Sequence, residues 1–352
     1  MADFSLVLNP PRAYGAPLGN AVVRAQPEDF IVREWLGYEP DGEGDHLLLR
    51  VRKRGANTMW VAKQLARIGK LHPKDVGFAG LKDRDAVAEQ WFSVPRRSSI
   101  GDGWKGLGGD GFEVIDCVAH RRKLKRGALR GNEFVLRLRE FQGESTQLES
   151  RLTLIQRHGV PNYFGPQRFG REGHNLSVAE AWFANGVEPA DRFERGFAIS
   201  AARSAIFNAV LAQRVVAGTW NRLLPGELAN LDGSNSHFAV TEVDDVLARR
   251  CEQLDIHPTG PLWAGSSTSA GAIADIEGQV ARCFEEFARG LETVGLEAER
   301  RALRMRVADL TWSIAESEVT LQFRLGRGCF ATAVLHELIG NAFSDSASEG
   351  GE

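Results

Sequence analysis

A carboxylate with cations on either side can be held ionised and used as a nucleophile or a base. Lys82, Asp83, Arg84 and Asp85, in the string GFAGLKDRDAVAEQW, have that composition, and Asp83 is the candidate reactive group. The same residues also suit a charged surface turn, and spacing does not separate the two readings. Charge is densest at 120–139, where Arg121, Arg122, Lys123, Lys125, Arg126, Arg130, Arg137 and Arg139 are opposed only by Glu133. The whole chain carries a formal net charge of −3, so this local excess reads as a phosphate-contacting strip, in which released counterions supply affinity without sequence specificity. A solvated hairpin has the same composition.

Next to the strip stand Asn132 and Phe134 in GNEF. An amide that reads a base edge beside an aromatic ring is a common pairing in single-stranded RNA recognition. Asn132 equally suits a turn, and Phe134 shares a strand face with Leu136 and Leu138, which suits a core. In VPNYFGPQRFGREGHN, glycines at 165, 170 and 173 argue against a helix. An ordered loop there would present Gln167, Arg168 and Phe169 to RNA or to a partner, or would pack as a domain junction. GDGWKG at 101–106 matches GxGxxG in form only. No helix follows it, so neither a dinucleotide site nor a methyl-donor pocket is expected. The cysteines at 117, 251, 283 and 329 form no CxxC unit, and no histidine pair has metal-ligand spacing. Reduced thiols and no metal are expected.

Chain-wide patterning gives these residues their setting. The 352 residues suffice for two domains, with 43% hydrophobic and 25% charged residues, as in globular proteins. MADFSLVLNPPRAYG lacks the pattern of a secretory signal, and no apolar run approaches the ~18 residues of a membrane span. A cytoplasmic protein is expected. Period-two alternation of Phe30 and Val32, and of Leu47, Leu49 and Val51, predicts strands over 20–52. Asn57 or Thr58 caps a helix striped by Val61, Ala62, Leu65 and Ile68. AVAEQWFSV, FEVIDCV, EFVLRLRE and VTLQFRL read as further strands, and FATAVLHELI as a closing helix. Helices are predicted from a cap at Ser200 to Gly218 and over roughly 275–295, with 219–270 irregular and the tail SDSASEGGE frayed. Strands at both ends around a distinct middle suggest one domain inserted into another.

Several strings, in order, resemble the tRNA pseudouridine synthase D family (TruD). They are PEDFIVRE at 27–34, GEGDHLLLRVRKRGANTMWVAKQLAR at 42–67, FAGLKDRDAVAEQWFSV at 78–94, HRRKLKRGALRGNEF at 120–134, VPNYFGPQRFGREGHN at 160–175 and SAARSAIFN at 200–208. RALRMRVADLTWS at 301–313 and GCFATAVLHELI at 328–339 complete the set. FAGLKD and NYFGPQRFG are the specific ones.

The resemblance implies an α/β (α+β) fold with a mainly antiparallel central sheet and an inserted family-specific α/β domain. The catalytic domain would be 1–158 with 306–352, and the inserted domain 159–305. It implies isomerisation of uridine 13 in the dihydrouridine arm of tRNA, with no cofactor. It places the catalytic aspartate on Asp83 and the uracil pocket on Asn132 and Phe134. Arg24, just before PEDF, would lie near the aspartate, and arginine stands where relatives can carry lysine. Arg24 or Lys82 would keep Asp83 charged. Phe330, in a CFAT string where the family often has SFAT, is expected among the substrate-binding residues with Arg24, Lys82, Asn132 and Phe134. The expected RNA contacts are Arg121, Arg122, Lys123, Lys125, Arg126, Gln167, Arg168 and Phe169. The alternative is a non-catalytic tRNA-binding protein or RNA chaperone on the same fold.

Overall fold

A computed structural model describes residues 4–82 and 86–341. They form two compact units, each discontinuous in sequence. A sheet unit comprises 20–82, 86–143 and 308–328, and a helical unit comprises 4–19, 144–307 and 329–341. By their contacts, 144–158 and 329–341 group with the middle of the chain, whereas the resemblance implies domain boundaries at 158 and 306.

The sheet unit is one twisted sheet. Its strands run in the order Ala308–Ala315, Glu318–Gly326, Gly131–Arg139, Phe30–Trp35, Val87–Pro95, His46–Lys53, Phe112–His120 and Gly108–Gly109. Neighbours are antiparallel except Phe30–Trp35 with Val87–Pro95, which are parallel. That pair is joined through His46–Lys53 and the helix Thr58–Ile68, the kind of long crossover a parallel pair requires. The Asn57 side chain caps the helix, accepting from the Trp60 N–H at 2.8 Å. Val61 and Leu65 then pack on Leu47, Leu49 and Val51. Trp104, in the glycine-rich 101–106 loop, is buried in the same core, which gives that loop a packing role.

Register sorts the polar residues of this sheet. Directly paired residues project to one face, and neighbours along a strand to opposite faces. Glu34 pairs with Asn132, Val32 with Phe134 and with Ala88, and Ala88 with Lys53. Lys53, Gln90, Glu34, Asn132 and Phe134 therefore share a face. The opposite face carries an ionic lattice. Glu89 takes Arg50, Arg52 and, more distantly, Arg33, while Glu133 takes Arg33 at 2.8 Å. Burial alone would push the Glu89 carboxyl up, but the three guanidiniums hold it below the usual range.

The helical unit packs around the helix Arg192–Val216. Phe164, Phe169, Leu176, Phe207, Phe284 and Phe287 fill its core. The helix begins eight residues before the predicted cap. Asp191, not Ser200, accepts from the N–H groups of Phe193 and Glu194, and Gly196 is carried inside the helix. The helix predicted over 275–295 is two, Gly271–Cys283 and Glu285–Thr293, because Phe284 leaves helical geometry at φ −116°, ψ 41°. Nor is 219–270 irregular throughout. It contains the three-stranded sheet of Leu228–Leu231, His237–Ala239 and Ile256–His257, and the helix Asp245–Glu252 capped by Asp244.

Candidate active site and nucleic-acid contacts

Asp83 lies outside the described residues, as do Arg84 and Asp85. Lys82, immediately before it, is held by every polar group it has. Its N–H donates to Thr58 Oγ1 at 3.0 Å, its carbonyl accepts from Lys53 Nζ at 3.4 Å, and its ammonium donates to Glu34 Oε1 at 2.6 Å. These partners are themselves fixed. Thr58 Oγ1 donates to Gln90 Oε1, the Gln90 amide donates to Glu34 and to the Gly80 carbonyl, and Trp91 N–H donates to Glu34 Oε2 at 2.8 Å. Lys53 Nζ also donates to the Ala56 carbonyl at 2.7 Å. Thr58, Lys53, Gln90 and Glu34 are all buried. In this low-dielectric frame an unpaired group is expensive, so the network rigidifies the entry to residue 83. The charge of Lys82 is directed at Glu34. Lys53 is the second cation of the frame, and neither its spacing nor its motif marked it out.

Arg24 and the phenylalanines form a neighbouring cluster. Arg24 stands in the left-handed region at φ 61°, a costly setting for a side chain of its size, and its guanidinium lies 3.9 Å from the Phe30 ring centroid. Phe30 meets Phe134 edge to face, and Phe134 stacks on Phe323 at 5.5 Å. Phe134 is 6% exposed. It is a core residue with one ring face covered, able to form a pocket wall rather than an open stacking platform. Asn132 is different. Its Oδ1 is buried and has no hydrogen-bond partner among the described residues. Such an acceptor costs about 1–3 kcal/mol until a donor arrives. Gly131 precedes it because a Cβ there would stand 2.1 Å from the Leu325 carbonyl oxygen on the paired strand.

The PEDF string has a structural task that sequence reasoning missed. Asp29 is fully buried and takes a two-pronged contact from Arg139, at 2.8 and 2.9 Å, plus the Gln26 N–H. Burial would raise its carboxyl, yet these hydrogen bonds hold it below the usual range. Arg139 thus clamps the turn between Arg24 and Phe30 to the central strand, and is not available as a phosphate contact. Arg121, Arg122, Lys123, Lys125 and Arg126 are exposed. Arg121 is tied to Glu43, Lys123 donates to the Lys74 carbonyl, and Arg126 stacks on Phe78 at 4.9 Å. Arg122 and Lys125 have no carboxylate within 4.0 Å among the described residues.

In the helical unit, Gln167 is exposed and Arg168 half-buried. Phe169 corrects the expectation. It is fully buried in the core, so its ring has no surface to offer RNA. Phe330 is half-buried and lies against Phe164 at 6.2 Å. Arg301, which takes no role from the sequence although it opens the string RALRMRVADLTWS, crosses the Phe164 ring at 4.2 Å.

The mainly antiparallel sheet with its polar site face, together with a separate helical unit, defines a mixed α/β protein. The model of the tRNA pseudouridine synthase D (TruD) family matches residues 15–192 and 183–338, and the chain belongs to that family. It is similar to the tRNA pseudouridine synthase D of Nitrosococcus oceani, at 46% identity over 333 residues and 93% of each chain. The tRNA pseudouridine synthase D of Methylococcus capsulatus is also 46% identical, over 94% of each. A crystal structure of the putative tRNA pseudouridine synthase D from Methanosarcina mazei shares the fold. Its TM-score is 0.72 at 22% identity, covering 95% of this chain and 96% of that one.

Proposed function

We propose that the chain converts uridine 13 in the dihydrouridine arm of tRNA to pseudouridine, with Asp83 as the reacting carboxylate. The family relation supports the isomerisation. The observation that carries the assignment to Asp83 is the buried frame that fixes Lys82 by its N–H, carbonyl and ammonium. A reactive side chain needs such a frame, because misplacement of even ~1 Å is costly to rate.

The reaction breaks the N1–C1′ bond, turns the uracil and joins C5 to C1′. The proton leaves C5 for solvent, and N1 regains one. The base must first leave its stack, at a cost of a few kcal/mol. Asn132 Oδ1 accepts from the uracil N3–H, which supplies the donor it lacks, and Phe134 walls the pocket. Asp83 attacks C1′ or takes the C2′ proton. Lys82 is committed to Glu34, which leaves Arg24, and Lys53 with its ammonium at the Lys82 carbonyl, as the cations to keep Asp83 ionised. The catalytic domain in this reading is 1–158 with 306–352, with 159–305 inserted.

One experiment tests these roles. Substrate tRNA tritiated at uracil C5 releases label on isomerisation, and Asp83→Asn abolishes that release. In Lys53→Met the acidic limb of the rate–pH profile moves to higher pH. Release from Asp83→Asn at the wild-type rate refutes the catalytic assignment, and an unmoved limb in Lys53→Met refutes the role of that lysine. A tRNA-binding protein without catalysis would release no tritium in any form.

A further inference from the structure

The helical unit sets two guanidiniums against one aromatic ring, with no carboxylate on either among the described residues. Arg168 and Arg301 both lie over the ring of Phe164, at 5.0 and 4.2 Å from its centroid. Each is half-buried. Arg168 donates from Nη1 to Ser200 Oγ at 2.6 Å, and Arg301 donates from Nη2 to Asn162 Oδ1 at 2.6 Å. Both partners are neutral. Among the described residues no carboxylate lies within 4.0 Å of either guanidinium, and nearby acids are committed elsewhere, Glu299 to Arg203 and Glu277 to Arg300. Burial, with Arg168 adding to it and the Cys329 thiol opposing, pulls Arg301 down to about 10. Two neighbouring cations taken partly out of water, with hydrogen-bonding capacity left over, are costly unless an anion sits between them. The forks are also anchored. Ser200 holds Nη1 of Arg168, Asn162 holds Nε and Nη2 of Arg301, and Phe164 lies against both planes, so the remaining N–H groups are preorganised for a planar or tetrahedral oxyanion.

We infer that Arg168 and Arg301 together bind a phosphodiester group of the substrate RNA, with Phe330 beside them as an apolar contact for the adjoining nucleotide. This deepens the proposed function and rests on RNA being the substrate. It gives the Ser200 hydroxyl, carried inside the helix, the task of holding Arg168. It also gives a role to Arg301, which opens the string RALRMRVADLTWS but takes none from it.

The test measures binding of an unmodified tRNA transcript as a function of KCl concentration. Arg168→Met with Arg301→Met removes one phosphate contact. The slope of log K against log salt then falls in magnitude by about 0.7–0.9. The paired lysine substitutions retain the slope while losing affinity. Asp83→Asn keeps the wild-type slope, so failure of this site and failure of the catalytic assignment are read separately. Because the methionine variants could lose folded structure, wild-type protein supplies a second measurement. Phenylglyoxal labels arginines, and the transcript should slow labelling of Arg168 and Arg301. An unchanged slope in the folded double variant, or equal labelling with and without the transcript, overturns the inference.

Discussion

Glu34 is where the frame behind Asp83 can be broken most informatively. The Glu34–Lys82 pair is 2.6 Å long, with the two side chains 0% and 8% exposed. Glu34→Gln leaves the ammonium buried without its counter-charge, and Lys82→Met leaves the carboxylate in the same position. Breaking a buried pair from one side costs about 3–5 kcal/mol, whereas replacing both partners with neutral groups of similar size is often close to neutral. The glutamine oxygen can still accept from the Trp91 N–H, so the loss is chiefly electrostatic. Each single variant is therefore expected to cost about 3 kcal/mol or more, a large part of the roughly 5–15 kcal/mol that stabilises a typical domain, and the double variant much less than their sum, a coupling of at least about 3 kcal/mol. The chain has two compact units, so one melting curve is a poor measure. Amide hydrogen exchange at Lys82 and Trp91 reads the frame locally, since both N–H groups are bonded within it. If the three variants add to within about 0.5 kcal/mol, the pair does not hold this segment.

Adjacent residues in the helical unit, His336 and Glu337, should give opposite pH responses. Burial pushes Glu337 up to about 7, although the N–H groups of Ala13 and Tyr14 bond its carboxylate, and burial pulls His336 down to about 4. Stability from Glu337 is full below its unfolded value of about 4.3 and is lost as pH rises towards 7; stability from His336 is full above about 6.5 and is lost as pH falls towards 4. The two nearly cancel, so Glu337→Gln, which can still accept both N–H groups, should expose a loss of about 3 kcal/mol on acidification from pH 6.5 to 4, measured by urea unfolding. A flat profile in that variant would dismiss the His336 contribution. On the basic strip, Arg122→Ala with Lys125→Ala weakens tRNA binding and flattens its salt dependence, whereas an unchanged salt slope moves the RNA path elsewhere.

The sequence by itself determined the local elements and the inventory of reactive residues. Alternation placed Leu47, Leu49 and Val51 on one face, a side-chain oxygen at Asn57 started the helix, and the ordered motifs indicated the family before any coordinates. These signals are local, carried by residues a few positions apart. They misread Ser200 as a cap because a serine before an apolar run looks the same inside a helix as at its start. What only the tertiary structure decided was which charge meets which. Lys82 is matched to Glu34, 48 positions away, and Arg139 to Asp29, 110 away, by the packing of loop and turn against the sheet. Arg301 shares Phe164 with Arg168 across more than a hundred residues of chain. Phe169, in a motif that looks made for RNA, goes to the core. Charge pairing and burial depend on long-range packing, and a one-residue change of register would reverse every face on which these assignments depend.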